Sequence, residues 1–320
     1  MAHTHSHALP DGADVSRKLV VSTVATTLFV GAELGIGIFA NSLALIGDAF
    51  HNFTDALALL LALLAIILQK RAPTRSKSFG YQRAGFLAAF VNAGTLVAFT
   101  VFILIEAWRR FRQPEPVDSF WMLVTAGVAI VLNSGITLWL RSEGKKDINI
   151  RGAAIHMMGD ALSAVGIVIA AILMRSTGST IYDPIVSVII GVLILWSSWG
   201  VLRETVNLLL EGVPNGIDPD AVAQDIASME GIQGVHHVHI WAIGPSRPAL
   251  SCHLLLGDIS LRTAAVIRER LNEMLAARYE IEHTTFQFEH AGCPEDNPYC
   301  LIYEDEDPQP PAETRGISGT

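Results

Sequence analysis

Six long apolar segments limit the folds that this chain can adopt. They cover residues 18–39, 42–68, 84–107, 118–140, 150–174 and 184–210. A helix needs about 20 residues to cross the ~30 Å hydrocarbon core of a bilayer, and every segment reaches that length. The chain is 51% hydrophobic and only 17% charged, whereas soluble domains carry about 25% charged residues. The sequence therefore predicts an α-helical integral membrane protein with six transmembrane helices, surrounded by membrane lipid.

Basic residues flank these segments unevenly, which predicts an orientation. An even number of spans places both termini on one side of the membrane. Cytoplasmic termini put most of the flanking lysines and arginines inside, as the positive-inside rule requires. The cluster Arg109, Arg110 and Arg112 runs against this bias. The short tails and compact loops are typical of bacterial proteins, so we expect a bacterial inner (plasma) membrane location with both termini in the cytoplasm.

The chain changes character after the sixth segment, where Gly212 and Pro214 interrupt the apolar helix. Asp218 followed by Pro219 is typical of a helix start. The pattern then predicts a strand, a second strand, a helix and a third strand, at 235–243, 249–256, 261–277 and 284–288. This α-β-β-α-β order predicts a C-terminal cytoplasmic ferredoxin-like α+β domain with one antiparallel sheet.

The predicted organisation has four parts: a His-containing cytoplasmic tail (1–16), a transmembrane domain (17–211), the ferredoxin-like domain (212–290) and an acidic tail (291–320). The polar, proline-rich composition of the last part predicts a mobile segment. Acidic residues collect in the last third of the chain, a distribution that indicates no nucleic-acid partner. The cysteines, Cys252, Cys293 and Cys300, are too few for a disulfide framework and indicate a reducing compartment.

Two of the apolar segments each contain a histidine followed four residues later by an aspartate. The pairs are His51 with Asp55 and His156 with Asp160. Residues four apart lie on the same face of a helix, so two neighbouring helices would present the four N and O ligands of a tetrahedral zinc site. Ionisable side chains within a span cost at least about 2.5 kcal/mol each, which makes them functional candidates. The alternative is that each pair is a structural hydrogen-bonded pair, or that some of its members face a lipid interface.

Three other acidic residues in these segments have less specific interpretations. Asp48 lies one turn before His51 on much the same face, where it would help to admit an ion, pack helices or contact water. Glu33 and Glu106 lie near predicted helix ends, so we interpret them as snorkelling or pairing residues.

The chemistry of two imidazoles and two carboxylates narrows the metal. This set suits Zn²⁺, and Cd²⁺ or Co²⁺ can enter the same geometry, whereas an all-oxygen site would suggest manganese or magnesium. Ligation requires neutral imidazole and ionised carboxylate, so metal binding releases protons. Because imidazole titrates near pH 6.5, a proton gradient can reload His51 and His156 and expel the metal. The residues therefore predict electroneutral or weakly electrogenic exchange of metal for protons.

Four motifs carry a resemblance to a known family. The run Asn41–His51, followed by Asp55, resembles the second transmembrane helix of cation diffusion facilitator transporters, and His156-x-x-x-Asp160 resembles their fifth. Phe79-Gly80-Tyr81 and Val238-His239-Ile240-Trp241 are similar to family signatures as well. The resemblance covers about residues 17–290 and is closest to the zinc-type branch shared by bacterial heavy-metal efflux proteins and vesicular zinc transporters. It implies a secondary active transporter, a homodimer that exchanges metal for protons by alternating access, with a cytoplasmic domain that dimerises and binds metal.

The same resemblance implies a second Zn²⁺ site in the cytoplasmic domain. Its ligands would be His236, His253 and Glu289, the last replacing an expected imidazole. Strand alternation predicts that His237 and His239 point away from His236, which leaves His239 as an accessory candidate. Cys293 and Cys300 follow in the tail, as additional ligands or as free thiols.

The N-terminal tract His3, His5 and His7 has three interpretations. Such tracts bind metal weakly, so this one would gather ions at the cytoplasmic mouth, dock on the partner's soluble domain or remain a solvated tail.

Two other functions compete with efflux. An intramembrane metalloenzyme would need a motif such as His-Glu-x-x-His, which the sequence lacks. A membrane-anchored metal sensor would need no ionisable residues in its anchor, so the two His–Asp pairs favour a carrier.

Overall fold

The computed structural model describes residues 12–141 and 148–290, with side chains described over 24–138 and 156–290. These residues form two compact units, one ending at Leu209 and the other beginning at Leu210. The predicted acidic tail and most of the predicted N-terminal tail lie outside the described residues.

The described part of the first unit forms six helices. They are α1 (Gly12–Phe39), α2 (Leu43–Gln69), α3 (Ala84–Arg112), α4 (Ser119–Arg141), α5 (Ile148–Thr177) and α6 (Tyr182–Leu209). Over the described residues, α2 to α6 are long and apolar enough to cross a membrane, and the apolar part of α1, Val24–Phe39, is shorter. Each of the six predicted segments therefore corresponds to one helix. Large apolar side chains such as Leu28, Val131 and Trp196 are exposed on these helices, a surface that a bilayer accommodates and water does not.

A tight turn joins α1 to α2, as the sequence predicts. Asn41 adopts a positive φ of 52°, a conformation that asparagine tolerates better than most residues. Ser42 caps α2 by accepting a hydrogen bond from the Leu45 amide. A Cβ atom on Gly37 would lie 3.1 Å from the Leu45 Cβ, so the glycine allows α1 and α2 to pack closely beside the turn.

The helices of the first unit pack in pairs. Helix α3 packs along α6, and α4 packs along α5. Helix α2 contacts α1, α3 and α6 extensively and α5 over a shorter stretch. A Cβ on Gly191 of α6 would lie 3.1 Å from Leu104 of α3, so this glycine permits the close approach of the α3–α6 pair.

The second unit has the predicted α-β-β-α-β order. Its elements are α7 (Pro219–Ala227), β1 (Gly234–Gly244), β2 (Arg247–Leu255), α8 (Leu261–Tyr279) and β3 (His283–Glu289). Asp218 caps α7 as predicted, by accepting a hydrogen bond from the Asp220 amide. Ile226, Leu250 and Leu271 are among the side chains that form its buried core.

The sheet of this unit differs from the prediction in one respect. Its strand order is β1-β2-β3, and β1 pairs with β2 in antiparallel fashion. Strand β3, however, runs parallel to β2, so the prediction of a purely antiparallel sheet is wrong. The reason is α8, which carries the chain back to the end where β2 begins, as a crossover between parallel strands must.

Candidate metal sites

The structure brings His51, Asp55, His156 and Asp160 together, and we name these four residues the membrane cluster. On α2, the His51 Nε2 lies 3.7 Å from the Asp55 Oδ2, and on α5 the His156 Nε2 lies 3.7 Å from the Asp160 Oδ2. Across the two helices, the His156 Nε2 lies 3.2 Å from the Asp55 Oδ2, and the two imidazole centroids are 6.1 Å apart. The i,i+4 spacing on each helix therefore places all four side chains at one crossing of α2 and α5.

Two polar atoms of the membrane cluster are buried without a hydrogen-bond partner among the described residues. They are the Nδ1 of His51 and the Oδ2 of Asp160. Buried polar atoms in proteins are almost always hydrogen-bonded, so convergent lone pairs of this kind fit a cation. Two imidazoles and two carboxylates are the ligand number and type that Zn²⁺ accepts. The side chain of His156 is 43% exposed, which leaves the cluster accessible from one side.

Asp48 lies beside the membrane cluster and makes a different contact. Its side chain is buried and accepts a hydrogen bond from the Ser163 hydroxyl of α5. Of the roles that the sequence left open, this contact supports helix packing, because it ties α2 to α5 one turn from the cluster.

Glu33 is the residue whose position the sequence interpretation missed. It is 0% exposed, so its interpretation as a snorkelling residue is wrong. Its electrostatic neighbours include Asp48 on α2 and Asp160 on α5. The available signal was the short α1–α2 turn, which folds Glu33 back against the half of α2 that carries Asp48 and His51. The pairing interpretation is confirmed for Glu106, which binds Arg109 at 2.5 Å.

A second group of candidate ligands lies on the sheet of the second unit. His236 on β1 is paired in register with His253 on β2. Glu289, the last residue of β3, contacts both: its Oε2 lies 3.1 Å from the His236 Nε2, and its Oε1 lies 3.0 Å from the His253 Nδ1. The structure therefore brings together the three residues that the family resemblance implied.

His237 joins this group, contrary to the prediction that it points away from His236. It has a positive φ of 52°, and the β1–β2 register is interrupted between His236 and His239. A bulge of this kind ends the strict alternation of side chains. The His237 ring stacks on His253 at 4.6 Å, and ligand nitrogens of His236, His237 and His253 lie within 4.8 Å of one another.

We name His236, His237, His253 and Glu289 the sheet cluster. Burial lowers the pKa of His253 below its ordinary value; Glu289 opposes this shift, and His237 and His236 add to it. The pKa of Glu289 is also lowered, because a hydrogen bond from Gln287 and the imidazoles of His236 and His253 outweigh the raising effect of burial. Neutral imidazole and ionised carboxylate are the metal-binding forms, so both shifts favour binding at neutral pH.

Among the remaining candidates, His239 lies outside both clusters. It is exposed on β1 and pairs in register with Ser251. Five further candidates lie outside the described residues: His3, His5, His7, Cys293 and Cys300. Cys252, which precedes His253 in the sequence, is buried. Burial raises the pKa of its thiol to about 12, which disfavours the thiolate form that binds metal.

Comparison with known proteins identifies the family. The model of the cation efflux transmembrane domain matches residues 19–210, and that of the cytoplasmic domain of cation efflux proteins matches residues 214–291. The zinc transporter ZitB of Escherichia coli is 38% identical over 95% of this chain and 97% of its own. The metal cation efflux system protein CzcD of Cupriavidus metallidurans is 36% identical over 92% of each chain.

Two further matches extend this set. A cadmium, cobalt and zinc/H⁺-K⁺ antiporter of Bacillus velezensis is 34% identical over 97% of this chain and 98% of its own. Among solved structures, the metal-bound C-terminal domain of the Cupriavidus metallidurans CzcD transporter aligns with 23% of this chain and 99% of its own, at 30% identity and a TM-score of 0.21. Because both family models match and the relatives align along nearly the whole length, this chain belongs to the cation efflux, or cation diffusion facilitator, family of membrane transporters.

Proposed function

We propose that this protein exports Zn²⁺ in exchange for protons, as a homodimer in a bacterial inner membrane with both termini in the cytoplasm. The observation that carries the proposal is the membrane cluster, in which two helices present two imidazoles and two carboxylates with unsatisfied ligand atoms. The names of the relatives, which include zinc transporters and a cadmium, cobalt and zinc antiporter, agree with a site that also accepts Cd²⁺ and Co²⁺.

Charge neutrality explains why this cluster exchanges a metal for protons. With neutral imidazoles and ionised carboxylates it carries two negative charges, which one Zn²⁺ neutralises. A proton on each imidazole neutralises the same two charges. An unpaired charge is costly to bury. The protein therefore changes between its inward-facing and outward-facing states most readily when the cluster is in one of these two neutral forms. The exchange is then two protons for each Zn²⁺.

The sheet cluster is proposed to hold a second Zn²⁺ that is retained. Three imidazoles and one carboxylate complete a four-ligand site without an open position, which is typical of structural zinc. Retained metal in the cytoplasmic unit would stabilise that unit.

The proposal is tested with the full-length protein in proteoliposomes. We measure the flux of radioactive Zn²⁺ through the wild-type protein with and without an imposed pH gradient. The gradient has an acidic external buffer and an alkaline lumen. We expect flux that follows the pH gradient and stops when the gradient is collapsed. Absence of wild-type flux, with zinc still bound, would identify the protein as a metal sensor. Flux that ignores an imposed gradient would refute proton exchange.

A further inference from the structure

We infer that Asp183 is a positioning residue for transport: it holds the first turn of α2 against α6 as a fixed pivot for the metal-binding part of α2. The inference rests on the proposed function, because α2 carries His51 and Asp55. It assigns a role to a buried acidic residue that is not part of either metal cluster.

Asp183 lies in the first turn of α6 and is 0% exposed. Its Oδ1 accepts hydrogen bonds from the Ser42 hydroxyl at 2.6 Å and the Ala44 amide at 3.2 Å. Its Oδ2 accepts one from the Leu43 amide at 2.9 Å. The first amides of a helix have no partner within that helix. A carboxylate from another helix therefore completes the N-terminal cap of α2.

Arg110 brings α3 into the same contact. Its side chain is 6% exposed, and its Nη1 lies 3.8 Å from the Asp183 Oδ2. The guanidinium also donates to the backbone oxygen of Asn41 at 2.6 Å and to the Asn41 Oδ1 at 2.7 Å. Glu115 accepts a hydrogen bond from the Asn41 side chain at 3.2 Å. The α1–α2 turn is thus fastened to both members of the α3–α6 pair.

We name Asp183, Arg110, Asn41 and Ser42 the α2 anchor. Opening it would take away the three hydrogen-bond donors of the buried Asp183 carboxylate, which is strongly destabilising. Movement of α2 is therefore easier elsewhere than at this end. In the predicted orientation Arg110 lies on the side that the positive-inside rule disfavours. The anchor accounts for this placement, because the buried contacts of Arg110 are with the helix ends at that side.

The distance from the anchor to the metal ligands suits a pivot. At about 1.5 Å per residue, His51 lies ~12 Å and Asp55 ~18 Å along α2 from Leu43. A tilt of about 10° about the anchor moves Asp55 by ~3 Å, from the same helical rise. A Zn–O bond is only about 2 Å long, so a small tilt with the anchor closed makes or breaks coordination.

Hydrogen exchange measured by mass spectrometry on the full-length protein in nanodiscs tests the pivot without measuring transport. The amides of Leu43 and Ala44 report the anchor, and those from 55 to 69 report the moving part of α2. With and without saturating Zn²⁺, we expect the anchor amides to exchange at rates within about twofold of each other while the later amides change. Fast exchange of the Leu43 and Ala44 amides in either state would show that the anchor opens, and would overturn the inference.

Two matched variants connect the anchor to turnover. Asp183→Asn removes the charge that caps α2 from another helix. Asp118→Asn makes the same change at an exposed aspartate that caps its own helix through the Phe120 and Trp121 amides. We expect Asp183→Asn to lower the maximal Zn²⁺ flux about tenfold. The Zn²⁺ concentration that gives half-maximal flux should stay within about threefold of the wild-type value, because the variant impairs a step that follows binding. Asp118→Asn should change neither parameter.

Other results for Asp183→Asn would contradict the pivot. A variant with the same flux as the wild-type protein would contradict it. A higher half-saturating Zn²⁺ concentration with an unchanged maximal rate would also contradict it, because the anchor would then only shape the binding site. If Asp183→Asn does not fold, Ser42→Ala removes one of the three donors to Asp183, and we expect a two- to threefold lower maximal rate, again without a change in half-saturation. Failure of the proposed function would appear separately, as absence of wild-type flux with the exchange pattern intact.

Discussion

The membrane cluster and the sheet cluster both combine imidazole and carboxylate groups, but helices hold the first and strands hold the second. In the membrane cluster, two helices that contact each other over a short stretch hold the ligands, and their N–O distances run from 3.2 to 3.7 Å. In the sheet cluster, hydrogen-bonded strands hold the ligands, with N–O distances of 3.0 and 3.1 Å and two stacked rings. Helices can tilt against each other, whereas paired strands cannot separate without losing their ladder. The first framework suits a cargo that is released, and the second suits a metal that is retained.

The largest effect is expected from removing one carboxylate of the membrane cluster. Asp55→Ala or Asp160→Ala should lower Zn²⁺ flux about a hundredfold or more, since loss of a ligand exceeds the tenfold to hundredfold cost of losing an outer-shell partner. Gel filtration should still show a folded dimer with metal bound to the sheet cluster. Flux above a tenth of the wild-type value in either variant would mean that these carboxylates are not ligands for the cargo.

A smaller effect is expected from the sheet cluster. In an Asp160→Ala background, which silences the membrane cluster, His253→Ala should weaken zinc binding at least tenfold. His239→Ala is the matched control, because His239 lies on β1 but is exposed and outside the cluster. Isothermal titration measures both variants. Equal affinities would remove His253 from the site, and loss of affinity in His239→Ala would show that the ligand set is wrong.

The pH dependence of the sheet cluster follows from the pKa shifts of His253 and Glu289. Both pKa values are lowered, so the binding forms persist below the ordinary histidine pKa of about 6.5. Zinc affinity should stay level from pH 8 to 7 and fall only below about 6.5. The sign for stability is the same: the unfolded chain protonates His253 first, so the metal-free unit loses stability as pH falls through this range. Titrations at several pH values measure the midpoint of this fall, and a midpoint above the ordinary histidine value would contradict the lowered pKa of His253.

The smallest effect is expected at Asp48, which distinguishes a packing contact from a ligand. Asp48→Asn keeps an oxygen that can accept from Ser163, so we expect a two- to threefold lower flux, the size of a modest hydrogen-bond change. Ser163→Ala should give a similar value. A loss as large as that of Asp160→Ala would place Asp48 among the ligands of the membrane cluster.

Local periodicity was sufficient to predict much of this molecule. Long apolar runs predicted all six helices, and the i,i+4 spacing predicted which side chains of α2 and α5 face each other. These features depend on residues close together in sequence. The order of elements in the second unit was predictable for the same reason.

Other features depend on contacts that local sequence does not encode. His237 joins the sheet cluster because a bulge interrupts strand alternation, and β3 runs parallel because α8 reverses the chain before it. Glu33 is buried because the α1–α2 turn folds it against α2. Asp183 finds its partners 139 to 141 residues earlier in the chain, a pairing that only the packing of α2 on α6 reveals.

The exchange of metal for protons at the membrane cluster is tested most directly by measuring both fluxes in one vesicle preparation. A luminal pH dye and a zinc dye, calibrated together, give the protons moved for each Zn²⁺. We expect about two protons per Zn²⁺, since two protons replace the charge of one ion at this cluster, and we expect Asp160→Ala to lose both fluxes together. Zinc flux without proton flux in the wild-type protein, or proton coupling that survives in Asp160→Ala, would contradict the account.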